Sequence, residues 1–304
     1  MLKKTLLFFI WLSILNGFLL ARTFVEEFRI GQAGKNPGEF SNPSAVAVSQ
    51  EGILFVVDSG NNRLQLFDLQ GRFLKTVGGF GFEADQFDRP LDIWLKSLIN
   101  IYVADYNNQR IQRYDRRMNY IAQFASQPNW PEEFRFGQVL SCAVNSQNDL
   151  FVLDYADAKV VKFDRNGWPE RVFGLYDSGP GELFEPVQLD ILNNKWLLVS
   201  DVGRKAVLAF DFFGNLLKVI EDSRFDRPRG LATNRQGDFL VIDEGAQKIF
   251  SVGSDLKTVT PWNFVLQKAL SAPRDAAVFH LNQAERCVIL DGNQLIFGRI
   301  ETHQ

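Results

Sequence analysis

Histidine, methionine and cysteine are all scarce in this chain of 304 residues, with two of each. Two histidines, His280 and His303, exclude a multi-histidine metal site, and two methionines exclude a methionine-rich docking groove. Two thiols, Cys142 and Cys287, are too few for a zinc-thiolate site or a disulfide framework. Nor is there an excess of positive charge. Thirty-three Lys and Arg against 36 Asp and Glu leave a formal −3, so the chain has no global attraction for polyanions, and nucleic acid is not an expected partner. Helical periodicity is missing over any long window, and no G-x-S-x-G motif marks a serine nucleophile. Beyond residue 21 no apolar run is long enough to cross a membrane.

What is present is hydrophobic and aromatic. Hydrophobic residues make up 46% of the chain, and 28 Phe give it the means to fill a large core, which excludes wholesale disorder. At the start, Lys3 and Lys4 precede an apolar run from Thr5 to Ile14, and a looser stretch ends at the small residue Ala21. That order reads as an export signal over residues 1–21, followed by a single folded unit over 22–304 in an extracytoplasmic, periplasmic or secreted location. Leu19 stands where a small residue is preferred before a cut after Ala21. An uncleaved membrane anchor is therefore the alternative, and the only membrane contact expected is through this segment.

The remainder is one unit copied six times. An apolar strand ends in Asp58, Asp105, Asp154, Asp201, Asp243 and Asp291, at spacings of 47, 49, 47, 42 and 48 residues. Fifteen residues before the Asp stands Pro43, Pro90, Pro186 or Pro228; the third copy has Val139 there, and the sixth has Pro273, three residues further off. Three positions earlier come Phe40, Phe87, Phe136, Leu183, Phe225 and Leu270, placed to wedge between neighbouring sheets. After the Asp, a polar turn leads to a strand such as RLQLFD, then a Gly turn and a last strand. Four short strands per unit, punctuated by Gly, Pro, Asn and Asp, predict an all-β, six-bladed β-propeller of four-stranded antiparallel blades. The sixth copy is one strand short. Phe24 to Ile30 resembles a fourth strand, so the N-terminal strand is expected to complete the last blade and leave no open ring.

DSGNNRLQLFDLQG (58 to 71) and DYNNQRIQRYD (105 to 115) resemble the NHL-repeat family of six-bladed propellers, with Asn61 and Arg63, then Asn108 and Arg110, as the characteristic pair. Later copies carry Asp157 and Lys159, Arg204 and Ala206, Ala246 and Lys248 instead. The resemblance implies a scaffold that binds proteins, in some members RNA, with a minority of related propellers acting as lyases or hydrolases.

Residues demanded in every copy point to structure. The six strand-end Asp residues are expected to accept hydrogen bonds from turn amides, with Arg63 and Arg110 pairing to them. Positions that differ between copies are the candidates for function. The two residues after the Pro position are Ser44 and Ala45, Leu91 and Asp92, Leu140 and Ser141, Val187 and Gln188, Arg229 and Gly230, Arg274 and Asp275. They should ring the mouth of the central channel, where Asp92, Gln188, Arg229, Arg274 and Asp275 would converge as a ligand-binding set, electropositive on one side and apolar on the other. No cofactor is expected; Asp92 and Asp275 could together hold Ca²⁺, but no oxygen-rich loop accompanies them. Cys142 and Cys287 fall on opposite sides of the ring and should be buried free thiols. The expected function is a monomeric, exported, non-enzymatic scaffold for a protein or peptide, and the alternative is a metal-assisted hydrolase or lyase with its site at the channel.

Overall fold

In the computed structural model, which describes residues 22–95, 100–234 and 237–302, the repeats form six sheets. Residues 1–21, expected above to be an export signal or membrane anchor, and His303 lie outside the described residues. Blade one holds β2 (Ala45–Val48), β3 (Ile53–Asp58), β4 (Arg63–Asp68) and β5 (Phe73–Gly78); blade two holds β6 (Pro90–Trp94), β7 (Asn100–Asp105), β8 (Arg110–Asp115) and β9 (Tyr120–Ala125). Blade three holds β10 (Val139–Val144), β11 (Leu150–Asp154), β12 (Lys159–Phe163) and β13 (Pro169–Phe173); blade four holds β14 (Pro186–Leu192), β15 (Trp196–Asp201), β16 (Ala206–Phe210) and β17 (Leu216–Glu221). Blade five holds β18 (Pro228–Thr233), β19 (Phe239–Asp243), β20 (Lys248–Val252) and β21 (Val259–Pro261). Strands pair antiparallel in sequence order, and the first strand of each blade touches the first strand of the next around the whole ring, blade six returning to blade one. These inner strands therefore line the axis.

The second strands are buried almost throughout, because both faces of a blade pack against neighbours; hence they read as continuous apolar runs rather than alternating ones. The outer fourth strand of blade one is exposed and carries Lys75 and Thr76, which suits an edge facing water. Phe40, Phe87, Phe136, Leu183, Phe225 and Leu270 are all buried between blades, as the repeat implies.

Register explains the spacing of Pro and Asp. Pro90 pairs with Asp105, Pro186 with Asp201, Pro228 with Asp243, and Val139 with Asp154, each followed by a one-residue shift in the ladder. A residue without an N–H is tolerated at such an irregular strand start. Pro273 pairs with Asp291 in the same way, so its greater distance in sequence only reflects a longer hairpin. The turn after each strand-end Asp needs a left-handed residue just before the third strand. Asn62, Gln109, Ala158, Lys205 and Gln247 take it, with φ between 47 and 55°. Asn accepts this conformation readily, whereas at Gln109, Ala158, Lys205 and Gln247 it costs roughly 1 kcal/mol each.

Blade six comprises β23 (Pro273–Leu281), β24 (Ala284–Asp291), β25 (Gln294–Thr302) and, as its fourth strand, β1 (Arg22–Ile30), which runs antiparallel to β25 from Arg22 opposite Thr302 to Ile30 opposite Leu295. Closure thus follows the expectation, with one addition. β22 (Asn263–Val265), from the tail of blade five, pairs in parallel with the outer side of β1 and makes a five-stranded sheet. Phe24 is fully buried against Trp262 and Phe264, so the closing strand is held on both sides. Cys142 and Cys287 are buried and unbonded, and burial pushes both thiols upward in pKa.

Candidate ligand-binding face and central channel

Each strand-end Asp fastens the crossover loop of its own blade. Asp58 accepts the Ser41 backbone N–H at 2.7 Å, the Arg63 guanidinium at 2.8 Å and the amides of Asn61 and Gln65. Asp105 repeats the set with Asp88, Arg110, Asn108 and Gln112. In later blades main-chain amides replace the side chains: Asp157 N on Asp154, Arg204 N on Asp201 and Ala246 N on Asp243. That substitution explains how Asn and Arg are lost after blade two without loss of the turn. The carboxylates are structural, as their repetition implies.

Arg63 and Arg110 reach further, and so build the face. Arg63 also donates to the carbonyls of Asn36 and Glu39, and Arg110 to those of Phe82, Glu83 and Gln86. Gln65 and Gln112 bind the carbonyls of Glu39 and Gln86. Loops 31–41 and 79–88 are therefore two copies of one rigid cradle. Their exposed positions differ: Ala33 and Lys35 in the first are Phe80 and Phe82 in the second, 68% and 69% exposed. Sequence reading assigns aromatics near these loops to the core and misses this pair; aligning the two loops residue by residue is the signal that finds it. On the same face Tyr155, Tyr176 and Phe184 are more than half exposed, and Arg89 lies over the Tyr106 ring, which meets Tyr155 edge-on.

The two variable positions after the Pro separate into two roles. The second position clasps blade to blade around the axis. Ser141 donates to Asp92 and accepts the Leu189 N–H at 3.0 Å; Gln188 accepts the Leu231 N–H at 2.7 Å; Asp275 accepts the Val46 N–H at 2.9 Å. At Gly230 no side chain fits, since a Cβ would stand 2.5 Å from the Arg274 carbonyl oxygen, and the backbones of blades five and six meet directly. Asp190, not singled out by sequence, adds a 2.9 Å bond from Thr233 N–H. Asp92, Gln188 and Asp275 are thus brought to the axis as clasps, and Asp92 and Gln188 also line the small cavity at the mouth, which Asp275 does not.

Burial dominates the chemistry of these carboxyl groups. Asp92 is pushed up to about 6 by desolvation, against the pull of its Ser141, Ile93 and Gln188 donors. Asp275 is raised well above the usual carboxylate range, first by burial and then by the charge of Asp92. Their lone pairs are taken by N–H and O–H donors, a poor fit to Ca²⁺, which needs six or more oxygens. Among the described residues no three His, Cys, Asp or Glu converge to hold a metal. His280 is exposed near the far end of β23, away from the mouth.

The first position forms the rim. Ser44, Leu91, Leu140, Val187, Arg229 and Arg274 border a cavity of about 60 Å³ at the mouth, into which Ala45, Asp92 and Gln188 of the second position also face. Its basic side is not purely basic, because Glu244 stands among Arg227, Arg229 and Arg274 at 3.7, 3.5 and 3.5 Å. Arg274 is further tied across the ring seam, donating to the Asn42 side chain and the Pro43 carbonyl. It is a blade tie as well as a rim residue, which its sequence position does not reveal.

Comparison with known proteins places these features. The NHL repeat model matches residues 40–67, from the end of the first crossover loop through the first three strands of blade one. Protein brain tumor of Drosophila melanogaster is 27% identical over 149 residues, 48% of this chain and 14% of that protein. The E3 ubiquitin-protein ligase NHLRC1 of Homo sapiens is 30% identical over 127 residues, 41% of this chain and 32% of that protein. The matched segments thus span less than a third of either relative. Among solved structures, a virginiamycin B lyase from Staphylococcus aureus superposes with a TM-score of 0.61 at 14% identity, covering 86% of this chain and 80% of the other. A gluconolactonase from Xanthomonas campestris gives 0.64 at 13% identity, with 86% and 87% covered. At that identity the likeness is one of fold.

Proposed function

Because this chain folds as a six-bladed β-propeller and carries a matched NHL repeat at residues 40–67, we propose that it acts as a non-enzymatic scaffold that binds a protein or peptide across the face formed by its crossover loops. One observation carries this reading. The cradle of loops 31–41 and 79–88 is satisfied in blade one with Ala33 and Lys35 exposed, so folding does not require Phe80 and Phe82 at the matching sites. Exposed aromatics on a rigid loop bind at low entropic cost and are typical anchors of protein interfaces. Tyr155, Tyr176 and Phe184 extend the same surface, and the relatives with matched NHL segments are compatible with a protein partner. Export fits this face too. Arg22 pairs with Thr302 and Asp238, at the end of the ring opposite the crossover loops, so the chain enters the propeller away from the binding face.

The test is site-specific photo-cross-linking in native envelope extracts, with the probe at Phe82 or Tyr155 and, as control, at Trp168 on the opposite face. Discrete protein adducts from the first two positions alone are expected; adducts from none, or equally from all three, would defeat the proposal. The alternative of a metal-assisted lyase or hydrolase rests on the fold of the lyase and gluconolactonase neighbours and on the buried pair Asp92 and Asp275. A stoichiometric divalent ion in purified protein, lost on Asp92→Asn, would favour that alternative instead.

A further inference from the structure

Three guanidinium groups share a single carboxylate at the axial mouth, and none of the three pairs is closer than 3.5 Å. At that separation they are attractions between charges rather than hydrogen bonds. Arg274 commits its Nη1 donor to Asn42 and Pro43. The Arg229 side chain has no such commitment: it makes no hydrogen bond among the described residues, and it is 30% exposed. Three arginines here face Glu244, and Asp92 also lines the cavity with Gln188, so the positive excess beside it is one with Asp92 ionised and two with Asp92 neutral. Opposite the arginines, Leu91, Leu140 and Val187 supply an apolar wall. The space of about 60 Å³ admits a small group and no more.

We propose that this mouth is a carboxylate-binding site that takes one carboxylate group of a peptide, with Arg229 as its principal donor, Arg227 and Arg274 as supporting charge, and Leu91, Leu140 and Val187 receiving the adjoining aliphatic carbon. This rests on the reading of the same face as a peptide-binding surface, and names the chemistry that surface recognises at its centre. The planar guanidinium fork matches a carboxylate bidentately, and its unsatisfied N–H groups gain the strong, charge-assisted bonds that Glu244 does not supply. Glu244 then holds the cluster together in the free protein and competes with the ligand for it. The carboxylate could come from the C-terminus of a peptide or from a Glu or Asp side chain; both present the same group.

Calorimetric titration of the full-length protein with three peptides of one core separates these sources. The core is acetyl-Gly-Ser-Gly-Ala-Val-Leu, made with a free C-terminal carboxylate, as the C-terminal amide, and as the amide with Glu replacing Leu. At least one acid is expected to bind about tenfold more tightly than the neutral amide, and which one identifies the source. Arg229→Gln should remove that preference with an unchanged melting temperature, whereas Glu244→Gln should tighten binding several-fold by removing the competitor. Equal binding of acid and amide, no binding of either acid, or an acid preference that survives Arg229→Gln would each overturn the proposal. The scaffold reading is judged separately, by cross-linking from Phe82, so it can stand where the carboxylate site falls.

Discussion

The Asp275 carboxylate in blade six accepts a 2.9 Å hydrogen bond from the Val46 N–H in blade one. The ring is therefore clasped at its axis as well as sealed at its rim by β1. Its other oxygen takes the Ala276 N–H, so the group serves two buried amides at once. Asp275→Ala should leave both amides unsatisfied and cost about 2–4 kcal/mol in chemical denaturation. Asp275→Asn should cost much less, because burial already favours the neutral acid and the amide keeps one acceptor oxygen. Equal losses in the two variants would show that the clasp depends on charge.

Stability should respond to pH through Asp92. Its carboxyl lies at about 6 when folded and near the ordinary 3.8 when unfolded, with burial as the cause. Between those values the folded protein holds a proton that the unfolded one has released, so stability falls as pH rises from about 4 to 6. Above that window the full penalty persists, on the order of 3 kcal/mol for two pKa units. Asp275, also raised by burial, contributes a slope of the same sign. Asp92→Asn should flatten the lower part of the slope and stabilise the protein at pH 8. Denaturant midpoints measured from pH 4 to 8 check this; a midpoint rising with pH through the window would refute it.

Arg110 links the fold to the binding face. It holds Asp105, Gln123 and the carbonyls of Phe82, Glu83 and Gln86 with one planar group. Arg110→Lys keeps the charge and loses the fork, and is expected to cost about 2–3 kcal/mol. Amide exchange should quicken across residues 79–88, and adduct yield from Phe82 should drop. Exchange confined to its wild-type rate would mean that the loop is held without Arg110.

Closure by β1 predicts a large penalty for Phe24→Ala, about 3–5 kcal/mol, since this ring is fully buried against Trp262 and Phe264. Deleting residues 23–30 strips a partner from both β25 and β22 and exposes two sheet edges, so concentration-dependent aggregation is expected in light scattering. A truncated protein that stays monomeric with an unchanged melting temperature would contradict the assigned topology.

Six blades, their four strands and the closing role of the N-terminal strand are legible in the sequence, because each follows from a local pattern repeated at a fixed period: an apolar run, a turn residue, an Asp. The burial of the wedging Phe and Leu residues and the separation of the two thiols follow from the same repeat. Local pattern could also name the variable pairs after each Pro, yet not divide them. In blades two, four, five and six a one-residue ladder irregularity follows the Pro and separates the pair, so Arg229 and Arg274 border the mouth while Asp92, Gln188 and Asp275 become clasps at the axis. Only the tertiary structure sets Glu244 among three arginines, ties Arg274 to Asn42 across 232 residues of sequence, and lays β22 against β1. Those contacts join residues that no repeat relates. They depend on how far each blade turns about the axis before it meets its neighbour, a distance in space that local sequence does not encode.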